Sequence, residues 1–336
     1  MKPTSTTPAP ARPSGADAAS ARLGLHRYAV VVAVCTGLLV FAGGLVTSTG
    51  SGLAVPDWPL SYGQVFPPMV GNVRFEHGHR MVAATVGMLT VLLTLWVWRR
   101  EPRRWVRRLG LAATGAVVAQ GLLGGLTVLL LLPAPVSVAH ACLGQTFFCI
   151  VVSLALFTSP SWRREVMPDA DQASGISVRT LAPLTTAIVF LQLLLGATMR
   201  HIGAGLAIPD FPLAFGKLVP AFTTPGIAIH YAHRVGALVV AISAAFTVTR
   251  VLRQHRDTPA LVRPALLLAT LVVIQIALGA TTVWTAKAVI PTTLHVLTGA
   301  LVLATSLVLA LRSHKYVARR AERRAFAPLP AERVAT

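Results

Sequence analysis

The chain has 336 residues, of which 54% are hydrophobic and only 12% are charged. A soluble globular domain carries about twice that charged fraction, so the composition indicates an integral membrane protein. Lys and Arg outnumber Asp and Glu by 30 to 11, a net charge of +19. The basic residues form short clusters between long apolar runs rather than a face for a phosphate backbone, which excludes nucleic acid as a partner. The three cysteines lie within apolar runs, so we expect neither a disulfide nor a CxxC site; they are Cys35, Cys142 and Cys149.

Eight segments are apolar and long enough to cross a bilayer as helices. A crossing needs about 20 mostly apolar residues, because the backbone must satisfy its own hydrogen bonds in lipid. The uncharged run from Leu109 to Trp162 is too long for one crossing, and Pro133 and Pro135 mark a reversal within it. We therefore predict an all-α integral membrane protein with eight transmembrane helices, near residues 28–47, 76–98, 109–132, 136–157, 180–199, 228–249, 264–285 and 289–311.

Arginine-rich connections after the second and sixth spans, and a basic C-terminal segment, predict which side faces the cytoplasm. Both termini then lie in the cytoplasm. We expect residues 1–27, rich in Pro, Ala, Ser and Thr, to be a disordered tail. Residues 159–179 are predicted to be a cytoplasmic linker and residues 312–336 a basic cytoplasmic tail.

The sequence repeats itself after about half its length. Residues 50–63 and residues 203–216 are identical at nine of fourteen positions, and the spacing holds through the rest of each half. Four crossings separate equivalent points, so the two copies have the same orientation. We predict two homologous four-helix bundles, residues 28–158 and 180–311, related by a pseudo-twofold axis along the membrane normal.

One histidine near the start of the second helix and one near the start of the fourth recur in both repeats. They are His79 and His140 in the first repeat and His233 and His295 in the second. An ionisable side chain in a membrane span normally has a partner or a function, and recurrence at a matched depth argues against four chance positions at the water interface. Haem iron held by two axial histidines fits this pattern. Zinc usually recruits Cys, Asp or Glu as well, and the second pair has no carboxylate nearby.

The first repeat carries a carboxylate that the second lacks. Glu76 stands one helical turn before His79, and His230 takes its place in the second repeat. A carboxylate beside a haem ligand can move protons, so the first site is predicted to be reactive and the second to transfer electrons. The other interpretation of Glu76 is an ion pair with Arg74 or Arg80 at the interface. Arg80 and Arg234 are predicted either to bind haem propionates or to anchor the helices at the interface.

These elements closely resemble the haem A synthase family of cytochrome oxidase assembly. They are Gly50-Ser-Gly-Leu53, Pro56-Asp-Trp-Pro59, Glu76-x-x-His79-Arg80, His140, His233-Arg234 and His295. The resemblance implies oxidation of the C8 methyl group of haem O to the formyl group of haem A, through a geminal diol that loses water. It implies Glu76, His79 and His140 as the substrate and catalytic site, and His233 and His295 as axial ligands of a haem b cofactor.

Two features depart from the family pattern. Many members have a cysteine pair in the first outer loop, where this chain has Val55 and Ser61, and many have an arginine where this chain has Thr47.

The resemblance implies haem O synthase and an electron-transfer protein as partners. It favours a bacterial cell membrane over the mitochondrial inner membrane and leaves the oligomeric state open.

Two other functions are compatible with parts of the sequence. A non-catalytic di-haem cytochrome b that exchanges electrons with a quinone would use the same four histidines, but it gives no reason for Glu76 to break the repeat. A transporter would have broken helices and polar groups at the bilayer centre, whereas the ionisable groups here gather at one end of the helices.

Overall fold

The computed structural model describes residues 15–166 and 176–317, and within these ranges it contains eight long helices. All eight are long and apolar enough to cross a membrane, which confirms the predicted all-α membrane architecture. They are α1 (Gly15–Ser48), α2 (Val73–Arg100), α3 (Arg104–Leu129), α4 (Ala134–Thr158), α5 (Val178–His201), α6 (Pro225–Gln254), α7 (Pro259–Trp284) and α8 (Val289–Tyr316).

Most of these helices extend beyond the apolar runs that predicted them. The apolar run measures only the part that meets lipid, whereas helical hydrogen bonding continues into charged residues at the interface, such as Arg99 and Arg100 at the end of α2. Between the two repeats, Pro160–Arg163 forms a single helical turn inside the predicted linker. Residues 167–175 of that linker and residues 318–336 of the predicted basic tail lie outside the described residues.

The first helix begins ahead of residue 28, where the sequence placed the end of a disordered tail. Residues from Gly15 onward are helical, and only residues 1–14 of the predicted tail lie outside the described part. Leu25 and Ala29 are fully buried, and Nδ1 of His26 donates a hydrogen bond to the backbone oxygen of Ala155 in α4 at 3.0 Å. Packing against α4 thus extends the helix through a segment whose composition alone predicted disorder.

Each repeat is a closed ring of four helices. In the first repeat α1 and α3 each contact both α2 and α4, and in the second repeat α5 and α7 each contact both α6 and α8. Between the repeats, α1 packs against α8 and α5 packs against α4, while α4 and α8 contact each other. This exchange of equivalent contacts is consistent with the predicted twofold axis, and it places α4 and α8 beside that axis.

The long connections at residues 49–72 and 202–224 lie at the same end of the bundle, called the loop end below. Arg200, near the end of α5, donates from Nη2 to the oxygen of Gly44 at 3.2 Å and to Oγ of Ser48 at 2.9 Å, both near the end of α1. Thr293 in α8 also donates to Oγ of Ser48, at 3.0 Å. A Cβ on Gly44 would lie 3.4 Å from Cγ2 of Thr293, so the two repeats are closely packed here.

The short connections at the loop end also share a conformation. Two consecutive residues have positive φ in each, Leu131 and Leu132 between α3 and α4, and Ala286 and Lys287 between α7 and α8. The chain therefore reverses between α3 and α4 as the sequence predicted, and Pro133 directly follows the two residues of this turn.

A buried carboxylate joins the connections at the opposite end. Glu101, 1% exposed, accepts hydrogen bonds from Nε and Nη2 of Arg103 at 2.7 and 3.0 Å and from Nη2 of Arg163 at 2.9 Å. Lys315, in the last turn of α8, donates to the backbone oxygens of Trp162 and Arg164. The end of the second repeat is thereby attached to the end of the first.

Candidate functional site

All four predicted histidines lie at the loop end, and each packs against a glycine of the preceding helix. The pairs are His79 with Gly43, His140 with Gly124, His233 with Gly196, and His295 with Gly279. A Cβ on any of these glycines would lie 2.8 to 3.2 Å from Cε1 of the ring, which is closer than most carbon contacts in proteins, so the ring would have to shift. The absence of a side chain therefore gives each imidazole a place directly against a helix backbone.

His233 and His295 face each other from α6 and α8. Their ring centroids are 6.5 Å apart and their planes are inclined by 70°. Two metal–nitrogen bonds of about 2 Å each, plus the distance from each nitrogen to its ring centre, span about this separation. With its proton on Nδ1, His295 donates to the backbone oxygen of Gln275 at 3.1 Å, and its Nε2 accepts a longer hydrogen bond of 3.3 Å from the side-chain amide of Gln275, which a metal ion would have to replace. The second pair thus fits one iron atom between its two imidazoles.

His79 and His140 occupy the equivalent positions on α2 and α4 of the first repeat. Nδ1 of each is buried and has no hydrogen-bond partner among the described residues. Buried polar atoms are rarely left in this way, so these two atoms indicate that a further group belongs at the site. Two imidazoles with this chemistry are suited to haem iron, and the predicted ligation stays a prediction.

Glu76 is buried, 4% exposed, and both of its carboxylate oxygens have partners. Oε2 accepts from the backbone N–H of Val55 at 2.8 Å, and Oε1 forms an ion pair with Nη2 of Arg80 at 2.7 Å. The ion pair that the sequence left as an alternative is therefore present, with Arg80 as the partner. Arg74 instead lies over the ring of Phe75 at 4.8 Å. Any catalytic role of Glu76 is additional to this anchoring role.

Arg80 and Arg234 hold the two long loops by their backbone carbonyls. Arg80 donates to the oxygens of Asp57 at 2.7 Å, Leu60 at 2.9 Å and Val55 at 3.2 Å. Arg234 donates to the oxygens of Asp210 at 2.7 Å, Leu213 at 2.8 Å and Ile208 at 3.1 Å. Because the terminal nitrogens are engaged in this way, the two arginines attach the long loops to α2 and α6. The two roles predicted from the sequence, contact with haem propionates and anchoring of the helices at the membrane interface, stay predictions.

The loops themselves are built around one aspartate each. Asp57 accepts hydrogen bonds from the backbone N–H groups of Tyr62 at 2.7 Å and Gly63 at 2.8 Å, and Asp210 does the same in the second loop. The bonds from Gly63 and Tyr62 lower the pKa of Asp57 below its ordinary value. Trp58 of the first loop lies so close to Gly125 of α3 that a Cβ there would overlap its ring. The first loop is therefore fixed over α2 and α3.

Several polar contacts near the histidines were missed in the sequence. Gln192 lies against His233, with Nε2 2.8 Å from its backbone oxygen and 3.0 Å from Nδ1. His77, which is buried, shares a hydrogen bond of 2.8 Å with Oγ of Ser61. Gln192 lies one turn before the glycine that packs on His233, a spacing that could have identified it. The contact of His77 depends on how the loop folds back, which no local pattern indicates. All three cysteines are free, as expected.

The family model of cytochrome oxidase assembly proteins, COX15-CtaA, matches residues 26–74 and 72–307 of this chain. The chain belongs to this family. As a member of the cytochrome oxidase assembly family, it carries all four histidines and both long loops inside the matched region. The resemblance seen in the sequence is thereby confirmed.

Three relatives match this chain over most of their own length. The Heme A synthase of Shouchella clausii is 31% identical over 271 residues, 79% of this chain and 88% of that protein. The Heme A synthase of Alkalihalophilus pseudofirmus is 28% identical over 278 residues, 81% of this chain and 92% of that protein. The Heme A synthase of Symbiobacterium thermophilum is 33% identical over 214 residues, 61% of this chain and 68% of that protein.

Proposed function

We propose that this protein is a haem A synthase, a membrane oxidoreductase that converts the C8 methyl group of haem O into the formyl group of haem A. The observation that carries the proposal is the presence of two histidine pairs at equivalent places in two repeats, of which only the first has a carboxylate, Glu76, one turn from a histidine. Relatives named Heme A synthase, which match this chain over most of their length, support the proposal. A non-catalytic cytochrome b would not need this difference between the repeats.

The two pairs have different tasks in this proposal. His79 and His140 bind haem O as the substrate, and His233 and His295 bind haem b as the cofactor. When bound, the haem b iron supplies one-electron transfer. The protein lies in the cell membrane of a bacterium with both termini in the cytoplasm, so that the loop end faces outward.

The reaction balances as a four-electron oxidation of carbon. A methyl group plus one water gives a formyl group, four protons and four electrons. Two successive hydroxylations replace C–H bonds by C–O bonds, and the geminal diol then loses water. The electrons pass to an external electron carrier, which is the required oxidant, and haem O synthase supplies the substrate.

The residues of the first repeat bind, orient and shield the substrate. Gly43 and Gly124 fix the two imidazoles at the depth of the loop end. Arg80 and the aspartate-centred loop, closed by Trp58 on α3, limit the access of water to the site. Glu76 places a negative charge beside the site, where it stabilises developing positive charge on the porphyrin edge and accepts protons.

The proposal is tested by purifying the protein from a host that makes haem O and has no haem A synthase of its own, and by identifying the extracted haems by chromatography. We expect haem b together with haem O and haem A. Glu76→Gln keeps an oxygen for the N–H of Val55 but removes the charge, so it should retain both haems and accumulate haem O. His230→Gln, the equivalent change in the second repeat, is the matched control and should convert haem O normally.

One outcome would reject a part of the proposal, and another would overturn the whole of it. Unchanged conversion in Glu76→Gln would reject the catalytic role of this carboxylate. Purification of the wild-type protein with haem b alone, and no conversion of supplied haem O, would favour the non-catalytic cytochrome.

A further inference from the structure

The two long loops expose large apolar side chains at their tips, residues 64–72 and 217–224. Phe66 is 74% exposed and Leu218 is 82% exposed. The alignment of the two loops pairs exposed residues at three positions, namely Val65 with Leu218, Phe66 with Val219, and Met69 with Phe222. Lys217 is the one charged residue in the two tips. Exposed apolar surface of this kind, repeated in both copies, indicates a contact with another apolar body.

Each tip begins at a closed turn of the backbone. The N–H groups of Ser61 and Gln64 each donate to the backbone oxygen of the other residue at 3.0 Å, and Ala214 and Lys217 exchange the same pair of bonds at 2.8 and 3.1 Å. The aspartates and arginines described above hold the residues ahead of these turns. The exposed tips therefore belong to an ordered part of the fold.

Both tips lie at the edge of the bundle. The first leads directly into α2 and the second into α6. Among the described helices, α2 packs mainly against α1 and α3, and α6 packs mainly against α5 and α7, whereas α1, α4, α5 and α8 form the contacts between the repeats. Exposed apolar residues continue along both peripheral helices, for example Met88 in α2 and Leu238 in α6. The tips are thus continuous with the surface that faces lipid.

The length of the peripheral helices places the tips near the lipid headgroups. A helix crosses the hydrocarbon layer, about 30 Å thick, in about 20 residues. Arg99 in α2 lies 20 residues after His79, and Arg250 in α6 lies 20 residues after His230, so the two histidines mark the hydrocarbon boundary at the loop end. The tips end seven and six residues before these histidines, about 10 Å further along the helix axis.

The second tip folds back along α6 toward this boundary. The ring of Phe222 lies 5.6 Å from the ring of Tyr231, and the two rings are inclined by 64°. Tyr231 directly follows His230, the residue at the boundary. Side chains of the tip therefore reach the layer in which aromatic and apolar residues partition at a membrane surface.

We propose that the two loop tips are membrane anchors whose exposed apolar side chains insert among the lipids of the leaflet at the loop end. The inserted residues are Val65, Phe66 and Met69 in the first tip and Leu218, Val219 and Phe222 in the second. The anchors hold each long loop at the boundary between the bundle and the lipid. This inference does not depend on the binding of haem.

A bilayer explains the repetition of the tips better than a partner protein does. The same positions are exposed beside α2 in one repeat and beside α6 in the other. A bilayer surrounds both edges of the bundle, whereas one bound protein needs only one of them. Arg74 and Lys217, exposed at the margins of the tips, carry the charge that lipid phosphates attract, and neither tip contains a carboxylate.

The test replaces single tip residues by the photoreactive amino acid p-benzoylphenylalanine in the full-length protein. The variants are illuminated in the membranes of the producing cells and in vesicles of phosphatidylethanolamine and phosphatidylglycerol, and mass spectrometry identifies what each residue becomes attached to. Burial of one large apolar side chain shifts an equilibrium by about tenfold or more, so we expect lipid adducts at Phe66 and Leu218 to exceed those at Asp257 by about this factor. Asp257 is the control in water, because it is exposed in the charged connection between α6 and α7. Leu238 is the control in lipid.

Two results would overturn the inference. Lipid adducts at Phe66 and Leu218 that do not exceed those at Asp257, with normal labelling at Leu238, would place the tips in water. Attachment to another polypeptide in cell membranes, without lipid adducts in the vesicles, would identify a protein partner instead. If the replacement of Phe66 prevents folding, the replacement of the exposed Val65 carries the same test. Haem conversion is measured separately, so a failure of this inference leaves the proposed function untouched.

Discussion

Val55 donates its backbone N–H to Oε2 of Glu76 at 2.8 Å, and in the second repeat Ile208 donates to Nδ1 of His230 at 3.2 Å. The two repeats thus use different side chains at one position to hold the same point of the loop. Exchange of the carboxylate for an imidazole keeps the anchor and removes the negative charge. The sequence identified this position by its difference, and the structure shows what the two residues share.

This relationship predicts that two substitutions of Glu76 behave differently. Glu76→Ala removes both the acceptor for Val55 and the partner of Arg80, so we expect faster hydrogen exchange in residues 55–63. Glu76→Gln retains an acceptor and should leave exchange close to that of the wild-type protein. Hydrogen exchange with mass spectrometry measures both, and equal exchange in the two variants would contradict the anchoring role.

Arg80 is predicted to stabilise the loop rather than to bind a haem. Arg80→Met removes donors to three backbone oxygens of residues 55–60, each hydrogen bond to a charged group contributing about 1.5 kcal/mol. We expect the first loop to become sensitive to added protease, while the midpoint potential of the haem bound by His79 and His140 stays the same. Arg234→Met should have the equivalent effect on residues 208–213. A shift in potential without loosening of the loop would instead indicate a propionate contact.

The glycines beside the histidines are predicted to be required for haem binding. In Gly196→Ala the new Cβ would lie 2.8 Å from Cε1 of His233, so the ring must leave its present position. We expect loss of most haem b, although alanine itself favours a helix by about 1 kcal/mol over glycine. Gly121→Ala, where nothing lies within 4 Å, should keep the full haem content. Absorbance of the purified variants at the haem band compares them.

The loop aspartates give the loop end a dependence on pH. Hydrogen bonds from the N–H groups of Gly63 and Tyr62 lower the pKa of Asp57, so its ionised form is favoured in the folded loop. A lowered folded-state pKa means that the stabilisation is complete above the ordinary pKa of aspartate and is lost as the pH falls through the lowered value. We expect hydrogen exchange at Tyr62 and Gly63, corrected for the intrinsic pH dependence, to be constant near neutral pH and to rise only in strongly acidic buffer. Asp57→Asn should show the faster exchange already at neutral pH.

The buried carboxylate at the opposite end is predicted to contribute to stability. Burial raises the pKa of Glu101, but the hydrogen bonds from Arg103 outweigh this effect and the net pKa is lowered. Because the arginines are partly exposed, we expect Glu101→Gln to destabilise the protein by about 2 kcal/mol, between the values for surface and buried pairs. Asp257→Asn, in an exposed pair with Arg256, should change the thermal midpoint little. A scan of detergent-solubilised protein measures both.

The sequence predicted the fold well because its strongest signals are physical requirements of lipid. The number of helices was predicted from the long apolar runs and from the break at Pro133. Their grouping into two four-helix bundles was predicted from the repeat at residues 50–63 and 203–216. The start of α1 was missed because composition does not show that Leu25 packs against another helix. Boundaries elsewhere were missed because an apolar run ends before its helix does.

The sequence identified the histidines of the candidate site but not the contacts around them, and the binding of haem by these histidines stays a prediction. Histidines at matched positions were visible in the repeat, since an ionisable residue in a span stands out. The role of Arg80 depends on a loop that folds back over α2, and the contact of Gln192 with His233 depends on how two helices pack, so neither can be read from a local pattern. Sequence spacing gives the face of a helix on which a residue lies, but not what it meets there.

Gly43 and Gly44 in α1 lie between the two repeats of the molecule. Gly43 faces the ring of His79. Gly44 faces Thr293, two residues before His295, and a single methyl group would fill the space between them. Separating the two repeats would therefore expose the closely packed surface between α1 and α8. The two repeats therefore depend on each other, because Gly43 and Gly44 set how closely α1 approaches the first histidine pair on one side and the helix of His295 on the other.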